Sequence, residues 1–140
     1  MSAPRLIDGL ARAEKSVRRE IRSGSTRGIS ASGYGVLFYL GRHPGASGAE
    51  VTAALGGSPA GMSGLLGRLA DAGLVERAAA VHDRRASALT LTAAGERECA
   101  LGLEAVDDLN EWLRTGFTTA ELAIVDRWLA HVAAGRPTKG

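Results

Sequence analysis

Apolar residues recur along the chain at helical spacing in six stretches, and between the fourth and fifth the pattern shortens to that of strands. From Pro4 to Arg22, Leu6, Leu10, Ala13, Val17 and Ile21 share one face, with Arg12, Lys15, Arg18, Arg19 and Arg22 around the rest. This is an amphipathic basic helix whose narrow face, free of aromatics, favours a core or dimer contact over a membrane surface. Ser23 to Gly28 reads as a flexible polar connector. Ser30 is placed to cap a second helix running to about Arg42, with Val36, Leu37 and Leu40 inward and Tyr34, Phe38 and Tyr39 adding aromatic bulk, until Pro44 and Gly45 stop it. Ser47 and Glu50 have capping-box spacing and open a short third helix with Val51, Ala54 and Leu55, after which Gly56 and Gly57 turn the chain. The fifth stretch, from about Ala93 to Thr115, has Leu101, Ala105, Leu109, Trp112 and Leu113 on a broad apolar side. Thr118 and Glu121 form another capping box and open a last helix with Leu122, Val125, Leu129 and Val132 in register.

The segment from Ser58 to Thr92 is the most informative. Ser58 before Pro59 pairs a capping side chain with the imino acid that suits the first helical position, so a fourth helix starts there. Met62, Leu65, Leu66 and Leu69 form its apolar face, while Gly61, Ser63, Gly64, Gly67 and Arg68 lie opposite. An outer face kept this small suggests close approach by something bulky, since each helical Gly costs about 1 kcal/mol. The competing reading is a Gly-rich composition, 19 glycines in 140 residues, and the sequence leaves both open. Gly73 can end this helix in the left-handed conformation, and Leu74, Val75 and Leu89, Leu91 then supply two short extended runs around a charged tip. That tip carries His82, Asp83, Arg84 and Arg85 among small residues, which suits entry into a narrow groove of negative potential; a merely solvated charge cluster is the alternative. Two short helices joined by a glycine turn, followed by a hairpin, make a winged helix-turn-helix with the second helix as the reading element.

The run Leu69, Gly73, Leu74, Val75, Arg77, Asp83, Arg84, Arg85, Leu89, Leu91, Thr92, Gly95 resembles the signature of the MarR family of transcription regulators. Upstream, Ile29, Ser30, Val36, Leu37, Leu40 and Pro44 resemble the helix that precedes that family's helix-turn-helix, so the likeness extends over most of the chain. The resemblance implies a mainly α fold with a small two- or three-stranded β wing, and N- and C-terminal dimerisation helices. It also implies a palindromic double-stranded DNA operator, usually repression, and a small aromatic or phenolic effector bound between the dimer helices and the winged domain. Tyr34, Phe38 and Tyr39 are the candidates for that ligand, with ordinary core packing as the alternative. The departure from expectation is the reading helix, whose glycines offer few hydrogen-bonding side chains, so specificity would lean on shape and the wing.

Composition narrows the remaining classes. At 140 residues and 45% hydrophobic, the chain fits one domain with a dimerising appendage. The net charge of +2 is weak evidence for nucleic acid, but its distribution is uneven: +4 over 1–28, +1 over 29–92, −5 over 93–135 and +2 over 136–140. DNA would therefore meet the middle segment with help from the N-terminal one. With no signal peptide and no long apolar run, a cytoplasmic location and no membrane partner are expected. Cys99, beside Glu96 and Glu98 in the acidic fifth helix, reads as structural because carboxylates oppose thiolate formation. The histidines at 43, 82 and 131 share no ligand spacing, and no nucleophile, base and orienter assemble, so no metal, cofactor or enzymatic activity is expected.

The resulting expectation is an N-terminal dimerisation helix and connector at 1–28, a DNA-binding domain at 29–92, dimerisation helices at 93–134 and a disordered tail at 135–140. The unpaired apolar faces of the first and last two helices call for a two-fold homodimer. Ser47, Ser58, Pro59, Ala60, Gly61, Ser63, Gly64, Arg68, Arg77, Asp83, Arg84 and Arg85 form the expected DNA surface, with Asp83 holding Arg85 by ion pairing. The alternative is a dimeric winged-helix protein-interaction module without DNA binding, against which Asp83, Arg84 and Arg85 argue.

Overall fold

A computed structural model describes residues 5–25, 27–79 and 87–138. Its elements follow in the order α1 (Leu6–Gly24), α2 (Ala31–Arg42), α3 (Gly48–Leu55), α4 (Pro59–Asp71), β1 (Val75–Ala79), β2 (Ser87–Leu91), α5 (Ala93–Arg114) and α6 (Thr119–Ala133). α1 runs through Ser23 and Gly24, which the sequence places in the connector. Ser25 ends it in extended conformation, and its Oγ accepts the Ile29 amide at 2.9 Å, so the connector is tied down.

The helix starts obey capping chemistry. Ser30, Ser47, Ser58 and Thr118 each accept a backbone amide three residues on, and at Ser47 and Thr118 the reciprocal Glu completes a capping box. Between α3 and α4 the chain needs two successive left-handed residues, with φ of 79° at Gly56 and 93° at Gly57, a turn that side-chain-bearing residues would strain.

Two compact units emerge, Met1–Val106 and Asp107–Gly140. In the first, the core joins α2, α3, α4 and the sheet: Val36, Leu37, Leu40, Val51, Leu74 and Leu89 are fully buried, with Met62, Leu66 and Leu69 packed around them. The sheet is a two-stranded antiparallel hairpin in which Val75 pairs Leu91, Arg77 pairs Leu89 and Ala79 pairs Ser87. Ala46 adds an isolated bridge to Leu89, so the turn after α2 is stitched to the base of the hairpin. Thr92 closes the hairpin: its hydroxyl donates to the Gly73 carbonyl at 2.6 Å and accepts the Gly95 amide at 3.0 Å, capping α5. The second unit contains the end of α5 and all of α6, and none of its described residues is buried. Among the described residues no helix is long and apolar enough to cross a membrane.

Candidate nucleic-acid interface

Burial fixes which side of α4 faces outward. Met62, Leu66 and Leu69 enter the core, and the residues opposite them, Ala60, Gly61, Gly64 and Arg68, are exposed. Ser58 and Pro59 present the amino end of the helix in the same exposed region.

A cleft lies on each flank of this strip. On one side Pro59 and Ser63 of α4, Gly48 and Thr52 of α3 and Arg77 of β1 line about 470 Å³. Arg77 thus reaches the helix-turn-helix from the hairpin, and Ser47, the cap of α3, immediately precedes this wall. On the other side Ser58, Gly61 and Arg68 meet Arg18 of α1 and Ser30 at the start of α2 around about 480 Å³. The structure therefore gathers Ser47, Ser58, Pro59, Ala60, Gly61, Ser63, Gly64, Arg68 and Arg77 on and beside one helix. Asp83, Arg84 and Arg85, with His82, lie outside the described residues.

Arg18 was not singled out for this surface by sequence, although the +4 charge of the first 28 residues was the signal for it. Lys15, Arg18, Arg19 and Arg22 form a further basic wall beside Ser30, continuing the positive edge from α4 along α1. A strip of small residues between cationic flanks can admit a duplex closely and neutralise phosphates on both sides.

The aromatic candidates separate. Tyr34 is buried, its ring stacks on Phe38 at 5.9 Å between centroids, and its hydroxyl donates to Glu98 Oε1 at 2.9 Å. Burial pushes the Tyr34 hydroxyl above its ordinary pKa; the Ser25 side chain opposes this and Glu98 adds to it. Tyr39 packs on His43 instead, with ring centroids 4.5 Å apart.

Cys99 is buried, and its Sγ donates to the Leu37 carbonyl at 3.7 Å. Its thiol pKa is raised, the expected direction, but from a different cause: burial raises it and the Arg42 charge partly opposes it. The flanking carboxylates are not what raises it. In α6 the amide and hydroxyl of Thr118 hold the exposed Glu121 carboxyl below its usual range. Among the described residues no group of three or more His, Cys, Asp or Glu is placed to hold a metal ion.

Helix α4, with its helix-turn partner α3 and the hairpin that follows, gives the winged helix-turn-helix fold. Residues 27–86 match the MarR family model. The whole chain has the corresponding fold. It is similar to a probable transcriptional regulator from Pseudomonas aeruginosa (22% identity, 91% of this chain and 96% of that one, TM-score 0.84). A mutant MarR from E. coli complexed with operator DNA matches at 24% identity, over 91% of this chain and 92% of that one, with a TM-score of 0.83. The PcaV transcriptional regulator from Streptomyces coelicolor, in complex with its natural ligand, matches at 22% identity over 96% and 99% with a TM-score of 0.83. No curated protein matches the chain in sequence.

Proposed function

We propose that the protein is a cytoplasmic homodimeric regulator that binds a palindromic DNA operator, represses transcription and is released by a small aromatic or phenolic ligand. The observation that carries the DNA part is the outward strip of α4, small along its length and edged by Arg18, Arg68 and Arg77. The operator-bound MarR, which shares the fold, supports the same reading. In the proposed mode, α4 enters the major groove amino end first, Ser47 and the flanking arginines meet phosphates, and Arg84 and Arg85 work at the wing with Asp83 orienting Arg85.

The dimer is favoured by unpartnered apolar side chains in both units: Leu6, Ile7, Leu101 and Leu103 in the first, Trp112, Leu113, Phe117, Ile124, Val125, Leu129 and Val132 in the second. The effector part rests on the fold shared with ligand-bound PcaV and on the aromatic residues Tyr34, Phe38 and Tyr39.

Selection of bound duplexes from random genomic fragments tests the whole reading, with sedimentation of the same sample. The expected result is a dimer that enriches an inverted repeat; a folded monomer at micromolar concentration, or enrichment of no sequence, would sink it. On the selected operator, Arg85→Ala is expected to lose about 1–3 kcal/mol more binding energy than on random DNA if Arg85 reads groove shape. A phosphate contact alone would instead weaken both DNAs alike and lower the salt slope by about one unit.

A further inference from the structure

Glu98 is the one charged side chain buried among the described residues, at 5% exposure, and it belongs to a helix whose other buried residues are Gly95, Cys99 and Gly102. A carboxylate in such a place is strongly unfavourable unless it is hydrogen-bonded and neutralised. Two groups do this. Tyr34 of α2 donates to Oε1, and the Nε of Arg27 stands 3.8 Å from Oε2. Arg27 lies in the connector between α1 and α2, and its Nη1 donates to the carbonyl of Ala72, the C-terminal cap of α4, at 3.4 Å. One guanidinium therefore meets two negative ends, the buried carboxylate of α5 and the carbonyl end of α4, where the helix dipole itself favours a cation. Ser25, two residues before Arg27, ties the same connector to the Ile29 amide.

We propose that Glu98 is a positioning residue for DNA reading: its charge anchors Arg27 against the C-terminal end of α4 and so sets the reading helix relative to the start of α5. The inference rests on the DNA-binding reading for its consequence, but the anchoring itself is testable without DNA. Removing the charge frees Arg27, loosens the last turn of α4 and lets the reading helix tilt. In a two-fold dimer a tilt of each reading helix changes the distance between them, which a palindrome measures as half-site spacing.

Glu98→Gln separates charge from shape, because glutamine keeps an acceptor for Tyr34 and nearly the same volume while giving Arg27 no charge. In hydrogen exchange on the full chain, segment 69–75 of this variant is expected to exchange about fivefold faster while segment 48–55 in α3 keeps its wild-type rate. Arg27→Ala, at a half-exposed position, should reproduce the effect, Arg27→Lys should restore most of the protection, and the double variant should be no worse than Arg27→Ala, which leaves the Glu98 charge unpaired. On duplexes whose half-site spacing differs by single base pairs, Glu98→Gln should flatten or displace the wild-type preference, whereas simple destabilisation would weaken every spacing alike. Wild-type exchange at 69–75 in both Glu98→Gln and Arg27→Ala overturns the proposal, and so does equal acceleration in α3. A wild-type protein that selects no duplex would remove the DNA reading, and the exchange result would still decide whether Glu98 anchors α4.

Discussion

Helices α4 and α5 both contain interior glycines, each costing about 1 kcal/mol of helix stability relative to alanine, yet they have them for different reasons. In α5 the protein itself fills the space. A Cβ at Gly95 would lie 2.0 Å from the Leu74 carbonyl oxygen, and one at Gly102 would lie 2.7 Å from the Tyr34 ring and 3.1 Å from that of Phe38. These two residues let α5 close on the hairpin base and on α2. In α4 a Cβ at Gly67 would meet nothing within 4 Å, and one at Gly64 would touch only the mobile end of Arg68 at 3.4 Å. Internal packing is thereby removed as the reason for Gly64 and Gly67, whereas a Cβ at Gly61 would stand 3.1 Å from the capping Ser58 Oγ. Close approach by an outside partner and a glycine-rich composition remain, and they make opposite forecasts for binding.

The largest effect is expected at Gly95. The Leu74 carbonyl is backbone, held by the Thr92 amide at 3.1 Å, and cannot rotate away as a side chain could. Gly95→Ala should therefore cost about 1–3 kcal/mol or more in urea denaturation, with the whole first unit losing stability together. Wild-type stability in that variant would mean that α5 does not seat on Leu74 as described. Gly64→Ala in α4 should move the other way, stabilising the fold by about 0.5–1 kcal/mol while weakening operator binding about tenfold, because in the proposed mode the new methyl stands where the duplex comes close. Gly64→Leu should abolish specific binding with little change in stability. Undiminished affinity in both variants would assign the α4 glycines to composition and remove the close-approach argument.

The same contrast explains what the sequence could and could not disclose. Apolar periodicity and capping pairs are local, so the helices, the glycine turn at 56–57 and the inward residues Val36, Leu37, Leu40, Met62, Leu66 and Leu69 were legible. The inner face of α5 was not, since Gly95, Glu98 and Gly102 carry no apolar signal, while the visible apolar residues Leu101, Trp112 and Leu113 are exposed. For the candidate site, the α4 residues could be placed from helical phase alone. The approach of Arg18 and Arg77 to either flank depends on tertiary packing, and so does the pairing of Arg27 with a carboxylate 71 positions further on. Cys99 shows how a correct direction can have another origin: its sequence neighbours are acids, but its thiol is governed by the seam between α2 and α5, where a Cβ at Gly41 would sit 3.4 Å from Sγ.

That seam supplies the smallest of the expected effects. Cys99→Ser replaces one small group with another and leaves a donor facing the Leu37 carbonyl, so at neutral pH stability should change by less than about 1.5 kcal/mol. The pH dependence is more telling. Burial raises the thiol above its ordinary pKa, so the folded state holds the proton more tightly than the unfolded chain does. The resulting stabilisation is complete below the unfolded thiol value and is lost as pH rises through the folded one, on the alkaline side of about pH 9. Tyr34 is raised for the same main reason and erodes stability in the same alkaline direction, but it is present in both proteins. The difference between wild type and Cys99→Ser therefore isolates the thiol: constant between pH 6 and 8, then shifting in favour of the serine variant as pH climbs, because only the wild type has a thiol to ionise. Denaturation across a pH series reads this directly. A thiolate so disfavoured should also react slowly with alkylating reagents at neutral pH, and DNA binding should respond to peroxide identically in the two proteins. Rapid labelling of native Cys99, or a peroxide response that disappears with the serine, would show that the α2–α5 seam opens in solution and is not the tight contact that Gly95 and Gly102 make possible.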